Sequence, residues 1–167
     1  TTDVTSGCYP LTVNFTNTGT TGAGVTYSWN FGAGASPATS TAENASGIIY
    51  STAGTKTVTH TVTNNFGCVT TLTNTITINQ TPTASFSSTA PSCTGNNVDF
   101  TNTGTVTGVT WFWNFGAGAA PANSVLQNPT NIVYSTAGTK SVTLTTTSST
   151  STCSATAAQT ININQTP

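Results

Sequence analysis

Apolar residues along this chain recur at every second position over short runs, and the runs are separated by clusters of Gly, Asn, Ser and Pro. Lys56 to Thr63 is the clearest case: Val58, His60 and Val62 fall on one side, and Thr57, Thr59, Thr61 and Thr63 on the other. Strict alternation of this kind marks a half-buried β-strand. The same logic runs through Val13-Asn14-Phe15, through Tyr27, Trp29 and Phe31, and through Thr71 to Ile78. Ile48-Ile49-Tyr50 reads as a compact apolar strand, while 36–46 and 120–130 read as loops with at most short edge strands. Gly-Ala-Gly after Phe31 predicts a turn, because glycine tolerates positive φ.

The pattern is written twice. Trp29-Asn30-Phe31-Gly32-Ala33-Gly34 returns as Trp113-Asn114-Phe115-Gly116-Ala117-Gly118, and Ser-Thr-Ala-Gly-Thr-Lys stands at both 51–56 and 135–140. Asn-Gln-Thr-Pro closes each copy, at 79–82 and 164–167. The repeat predicts two domains, 1–82 and 83–167, each small enough to bury only about 60 to 65% of its unfolded surface. The end of the second copy also fits the start of the first, with Val4 taking the place of Phe86, which reads as one period of a longer array.

Threonine supplies much of the polar surface, with 43 residues of 167. Its branched Cβ suits a pleated sheet and disfavours helix interiors, so the fold class expected is all-β. Charge is nearly absent, at 3% of residues: Asp3, Glu43, Lys56, Asp99 and Lys140. Two lysines cannot form a phosphate-binding surface, which excludes nucleic acid as a partner. No apolar run is long enough to span a bilayer as a helix, so no membrane insertion is expected. A polar surface without like-charge repulsion favours self-association, so further copies of the chain or neighbouring repeats are the expected partners.

Four cysteines fall two per copy, Cys8 and Cys68, Cys93 and Cys153, each pair separated by 60 positions. The equal spacing reads as two internal disulfides, Cys8–Cys68 and Cys93–Cys153, with cross-links between neighbouring subunits as the competing arrangement. No closely spaced pair suits zinc, and no cofactor site is expected. His60 stands where the second copy has Leu144, and reads as a core or rim residue rather than a general base. The carboxylates fall in unrelated places, so no catalytic residue is identified and the chain is not expected to be an enzyme. Trp29, Phe31, Tyr50, Trp113, Phe115 and Tyr134 are assigned to the core, while Trp111, which replaces Tyr27, is the aromatic most apt to be exposed. Asn14, Asn44, Asn79 and Asn164 head Asn-x-Ser/Thr sequons and are candidate glycosylation sites. The threonine-faced strands leave ice binding as a minor alternative.

Trp29 to Gly34 with Tyr50, Gly54-Thr55 and Val58 to Val62, and again Trp113 to Gly118 with Tyr134, Gly138-Thr139 and Val142 to Thr146, resemble the PKD (polycystic kidney disease) type repeat. That resemblance implies tandem immunoglobulin-like β-sandwiches of the kind found in bacterial adhesins, secreted hydrolases and cell-surface proteins. The family signature carries acids where this chain has Asn30, Ala33, Asn114 and Ala117. The expectation is a structural repeat of an extracellular or cell-surface protein: a stalk, adhesin shaft or filament subunit. The alternative is a carbohydrate-binding or adhesive accessory module of a secreted enzyme.

Overall fold

A computed structural model describes residues 1–167. The chain is all-β and separates into two compact units, Thr1–Gln80 and Thr81–Pro167, dividing two residues ahead of the boundary that the repeat suggests. Unit 1 runs β1 (Ser6–Cys8), β2 (Leu11–Phe15), β3 (Thr26–Asn30), β4 (Ala35–Ser36), β5 (Thr39–Ser40), β6 (Ala45–Tyr50), β7 (Gly54–Thr63) and β8 (Val69–Asn79). One sheet has the order β1-β8-β7-β3-β5 and the other β2-β6-β4. All pairings are antiparallel except β1 with β8, which is parallel.

Unit 2 runs β9 (Phe86–Ser88), β10 (Ser92–Cys93), β11 (Asn97–Val98), β12 (Phe100–Asn102), β13 (Val109–Asn114), β14 (Ala119–Ala120), β15 (Asn123–Ser124), β16 (Ile132–Tyr134), β17 (Gly138–Ser148) and β18 (Ser154–Asn164). Its larger sheet, β10-β18-β17-β13-β15, repeats the order in unit 1. The facing layer is built from β11-β16-β14 and the pair β12-β9. The two-residue strands β5 and β15 lie in the stretches that the sequence marks as loops with short edges, and β4 and β14 begin one residue ahead of them.

Alternation puts one apolar stripe from each sheet inside. In unit 1 the core is Val13, Phe15, Trp29, Phe31, Ala45, Ile48, Tyr50, Val58, Ile76 and Ile78; in unit 2 it includes Phe86, Val98, Phe100, Trp113, Phe115, Ile132, Tyr134, Val142 and Leu144. The signature turns follow from local chemistry. Asn30 Oδ1 accepts the Gly32 N–H at 2.9 Å, and Asn114 Oδ1 accepts the Gly116 N–H at 2.9 Å, so each amide closes the turn without an acid. Gly32 and Gly116 both sit at φ +80°, and a Cβ there would lie 2.6 and 2.5 Å from the carbonyl oxygens of Thr57 and Ser141. Only glycine fits such an approach. Buried Tyr50 and Tyr134 then donate their hydroxyls to the carbonyls of Phe31 and Phe115, at 2.9 and 2.8 Å, tying the end of β6 or β16 to the signature.

The disulfide expectation needs correction. Cys68 and Cys93 are free thiols, whereas Cys8 and Cys153 are disulfide-bonded, so neither Cys8–Cys68 nor Cys93–Cys153 forms. Register gives the reason. Cys8 pairs with Asn79 at the last residue of β8, while Cys68 immediately precedes Val69 at its first. Eleven residues of strand span about 36 Å, whereas a disulfide requires Cα atoms within about 7 Å. Unit 2 repeats the geometry, with Cys93 against Asn164 at the end of β18 and Cys153 just before Ser154 at its start. Equal sequence spacing therefore marks two equivalent pairs of ends, not two bridges.

Candidate functional site

Each unit carries one cysteine at the end where the chain enters it and one at the end where the chain leaves. Cys68 and Cys153 close the hairpins β7–β8 and β17–β18, where their carbonyls accept the N–H groups of Asn64 and Ser148 at 3.0 and 2.8 Å. In unit 2 this is the entry end: the Ser149 N–H bonds Gly108 O, just before β13, and the Thr105 N–H bonds Thr83 O at the start of the unit. Cys8 and Cys93 lie beside Asn79 and Asn164, where the last strands finish.

The entry end of unit 1 is unlike its counterpart. A cleft of about 320 Å³ opens there, lined by Thr1, Thr16, His60, Val62, Cys68 and Leu72 among others. His60 forms its floor, with its ring stacked on Trp29 at 3.6 Å between centroids and 7° between planes. The His60 Nε2 is buried and has no hydrogen-bond partner. Burial, aided by the positive Thr1 amino group, holds the imidazole below its usual pKa, so the neutral ring is favoured. In unit 2 Phe86 packs against Trp113 at 5.1 Å and Phe100 at 6.2 Å between centroids.

Register overturns the expected equivalence of Val4 with Phe86. The Asp3 N–H bonds Asn14 O, just as the Thr89 N–H bonds Asp99 O, so Val4 corresponds to Ala90. Both are part-buried against their cores. By the same register Thr1 corresponds to Ser87. Leu72 on β8 is 53% exposed, contrary to the aliphatic interior expected of that strand.

The remaining candidate residues distribute as follows. Trp29, Phe31, Tyr50, Trp113, Phe115 and Tyr134 are all buried, with the two tyrosine hydroxyls pushed up to about 12 by desolvation. Trp111 is half-buried against the unit 2 core, and its Nε1 has no partner. Among the sequons, the Asn14 side chain is committed, donating to Asp3 Oδ2 at 2.8 Å and accepting from the Gly47 N–H at 2.8 Å. Asn44 is exposed and uses its Oδ1 to accept the Asn17 N–H; Asn79 is half-buried and Asn164 exposed. The outer face of β7 and β8 is a ladder of four Thr–Thr rungs, 55↔77, 57↔75, 59↔73 and 61↔71, the last joined by hydroxyls at 3.2 Å. In unit 2 only Thr145↔Thr156 survives as such a rung.

The cysteine hairpins of the two units differ in sequence. Phe66-Gly67-Cys68-Val69 in unit 1 stands where unit 2 has Ser151-Thr152-Cys153-Ser154. Phe66 is 85% exposed and Val69 60%.

Comparison with known proteins agrees with this construction. The PKD domain pattern matches residues 4–77 and again 79–163. No curated protein matches the chain. Among solved structures, murine CEACAM1b is similar at 12% identity and TM-score 0.42, over 97% of this chain and 96% of that one. Fibronectin(III)-like modules of Clostridium thermocellum CbhA follow at 10% and 0.39, over 99% and 94%, and three N-terminal domains of the bacteriophage RB49 outer capsid protein Hoc at 13% and 0.38, over 98% and 57%. With Trp29-Asn30-Phe31-Gly32 and Trp113-Asn114-Phe115-Gly116 forming the same turn in both units, the chain belongs to the PKD domain family, as a tandem of two.

Proposed function

We propose that this tandem is a structural repeat of an extracellular surface protein, in a stalk, adhesin shaft or filament, and that its partners are further copies of itself. The observation carrying this reading is that each unit takes the chain in at one end of its longest strand and releases it at the other. A module of that kind adds length with every copy. A disulfide within a PKD pair also suits an oxidising, extracellular setting. Asn44 and Asn164, both exposed, are the sequons that best accommodate glycans.

The carbohydrate-binding alternative needs a row of exposed aromatic faces, and the signature aromatics are spent on the two cores. Native material from the source organism decides between them. The structural reading expects the chain within assemblies, or within a polypeptide far heavier than 16.9 kDa, with satellite masses if sugars are attached. A dispersed single chain that binds a glycan array would replace it with the carbohydrate-binding reading.

A further inference from the structure

The two free thiols are the unused halves of a matched set. Cys68 is the counterpart of Cys153, and Cys93 the counterpart of Cys8, each at an offset of 85 positions. Cys153 is of the entry kind and Cys8 of the exit kind, and both are disulfide-bonded. The free pair likewise comprises one entry cysteine, Cys68, and one exit cysteine, Cys93. Neither can reach the cysteine of its own unit, because a full strand separates them.

The surroundings of Cys68 differ from those of its bonded counterpart in the way an open junction requires. Cys153 is 1% exposed, in a hairpin of Ser and Thr. Cys68 is exposed, flanked by Phe66 and Val69, and lines the same cleft as the exposed Leu72. Three large apolar side chains around one thiol make a surface that a partner would cover. No Lys, Asp or Glu side chain is among the residues lining the cleft at Cys68, where the Thr1 amino group is the charged group present. The exit end of unit 2 supplies the complementary thiol, with Thr94 and Thr166 beside it fixing the last residues through hydroxyls 2.7 Å apart.

We infer that Cys93 of one copy of this chain forms a disulfide with Cys68 of the next, so that successive copies are joined covalently head to tail. The inference rests on the structural reading above and specifies how its copies join. The oxidant is a disulfide, of a small molecule or of an oxidoreductase. The Cys68 thiolate attacks one donor sulfur and expels the first donor thiolate. The Cys93 thiolate of the neighbouring copy then attacks the Cys68 sulfur, forms the new S–S bond and expels the second. The donor gains two electrons, and its two thiolates take up the two protons that the cysteines release.

The experiment incubates the full chain with oxidised glutathione, traps remaining thiols by alkylation, and reads non-reducing gels and chymotryptic cross-linked peptides. Chymotrypsin is required because no lysine lies between Cys68 and Cys93, whereas Phe86 does. The expected result is a ladder in steps of 16.9 kDa that dithiothreitol collapses, with Cys68–Cys93 as the linking peptide. Cys68→Ser and Cys93→Ser should each abolish the ladder, and the two variants mixed should give a dimer joined only through Cys93 of the first and Cys68 of the second. A monomeric ring through Cys68 and Cys93, symmetric Cys68–Cys68 or Cys93–Cys93 links as the main product, or glutathione-capped monomers would each overturn the inference. Filaments formed equally by the doubly substituted C68S/C93S chain, with no ladder from the parent, would overturn the cross-link while leaving the structural reading standing.

Discussion

The two units share a turn, a sheet order and a Tyr-to-carbonyl bond, yet they close their entry ends differently. Unit 2 fills the space over its tryptophan with Phe86 and places Leu144 beneath it. Unit 1 has a histidine in place of the leucine, its imidazole stacked on Trp29 but without a hydrogen-bond partner, at the edge of a cleft that Cys68 and Leu72 also line. What does not vary is the opposite side of the core, where Tyr50 and Tyr134 bond the signature strand identically. The invariant part holds each sandwich together, and the variation is confined to the entry end.

The most damaging way to erase the difference is to open unit 2. Phe86→Ala removes a ring in contact with Phe100 and Trp113, and a large buried aromatic truncated to alanine costs about 3 to 5 kcal/mol. Unit 2 peptides should lose hydrogen-exchange protection while unit 1 peptides keep theirs. Equal loss in both would mean that the units do not unfold separately. Removing what the units share should cost less, and equally: Tyr50→Phe or Tyr134→Phe leaves a buried carbonyl without its donor, at about 1 to 3 kcal/mol. Chemical denaturation of the two variants should give matching losses, and a clear inequality would show that the common tie is not common in energy.

His60→Leu makes unit 1 resemble unit 2 and should stabilise it by about 1 kcal/mol at neutral pH, since it removes an unpartnered buried nitrogen at the expense of the Trp29 stack. The pH dependence sharpens this. The folded unit holds the imidazole below its ordinary value of 6.5, so as pH falls the unfolded chain takes up the proton first and stability declines. The decline begins near the unfolded value and is complete once pH has dropped below the folded one. Unit 1 of the parent should therefore lose protection on going from neutral to mildly acidic conditions, and His60→Leu should flatten that response. An unchanged slope in the variant would assign the acid sensitivity to another group, with Asp3 next in order. Its carboxyl is held below the usual range chiefly by the Asn14 N–H, and its contribution is lost only at lower pH.

Most of the scaffold was legible because period-two patterning and the doubled signature are local properties of sequence. Trp29 and Trp113, Tyr50 and Tyr134, and the short edge strands all follow from alternation and turn chemistry. The cysteines were misread because their pairing depends on register. Sixty residues of separation is silent about whether two positions meet or lie at opposite ends of a strand, and the parallel pairing of β1 with β8 decides it. The equivalence of Val4 with Phe86 failed for the same reason: alignment by the flanking Pro set the strands a few residues away from the register that Asn14 and Asp99 impose.

The smallest effect probes what the units share with their family. Asn30 and Asn114 stand where the family signature has an acid, and each uses Oδ1 to accept the N–H two residues on. Asn30→Asp and Asn114→Asp preserve that acceptor and strengthen it by charge, while the side chains remain exposed and screened by solvent. The expected change is within about 0.5 kcal/mol in either unit, the same for both, and insensitive to calcium or chelator in thermal melts. A calcium-dependent rise in melting temperature for the variants alone would show that the turn keeps the geometry of a cation site from which this chain has removed only the charge. A flat response would mean that the acid contributes to this turn solely through the oxygen that asparagine already provides.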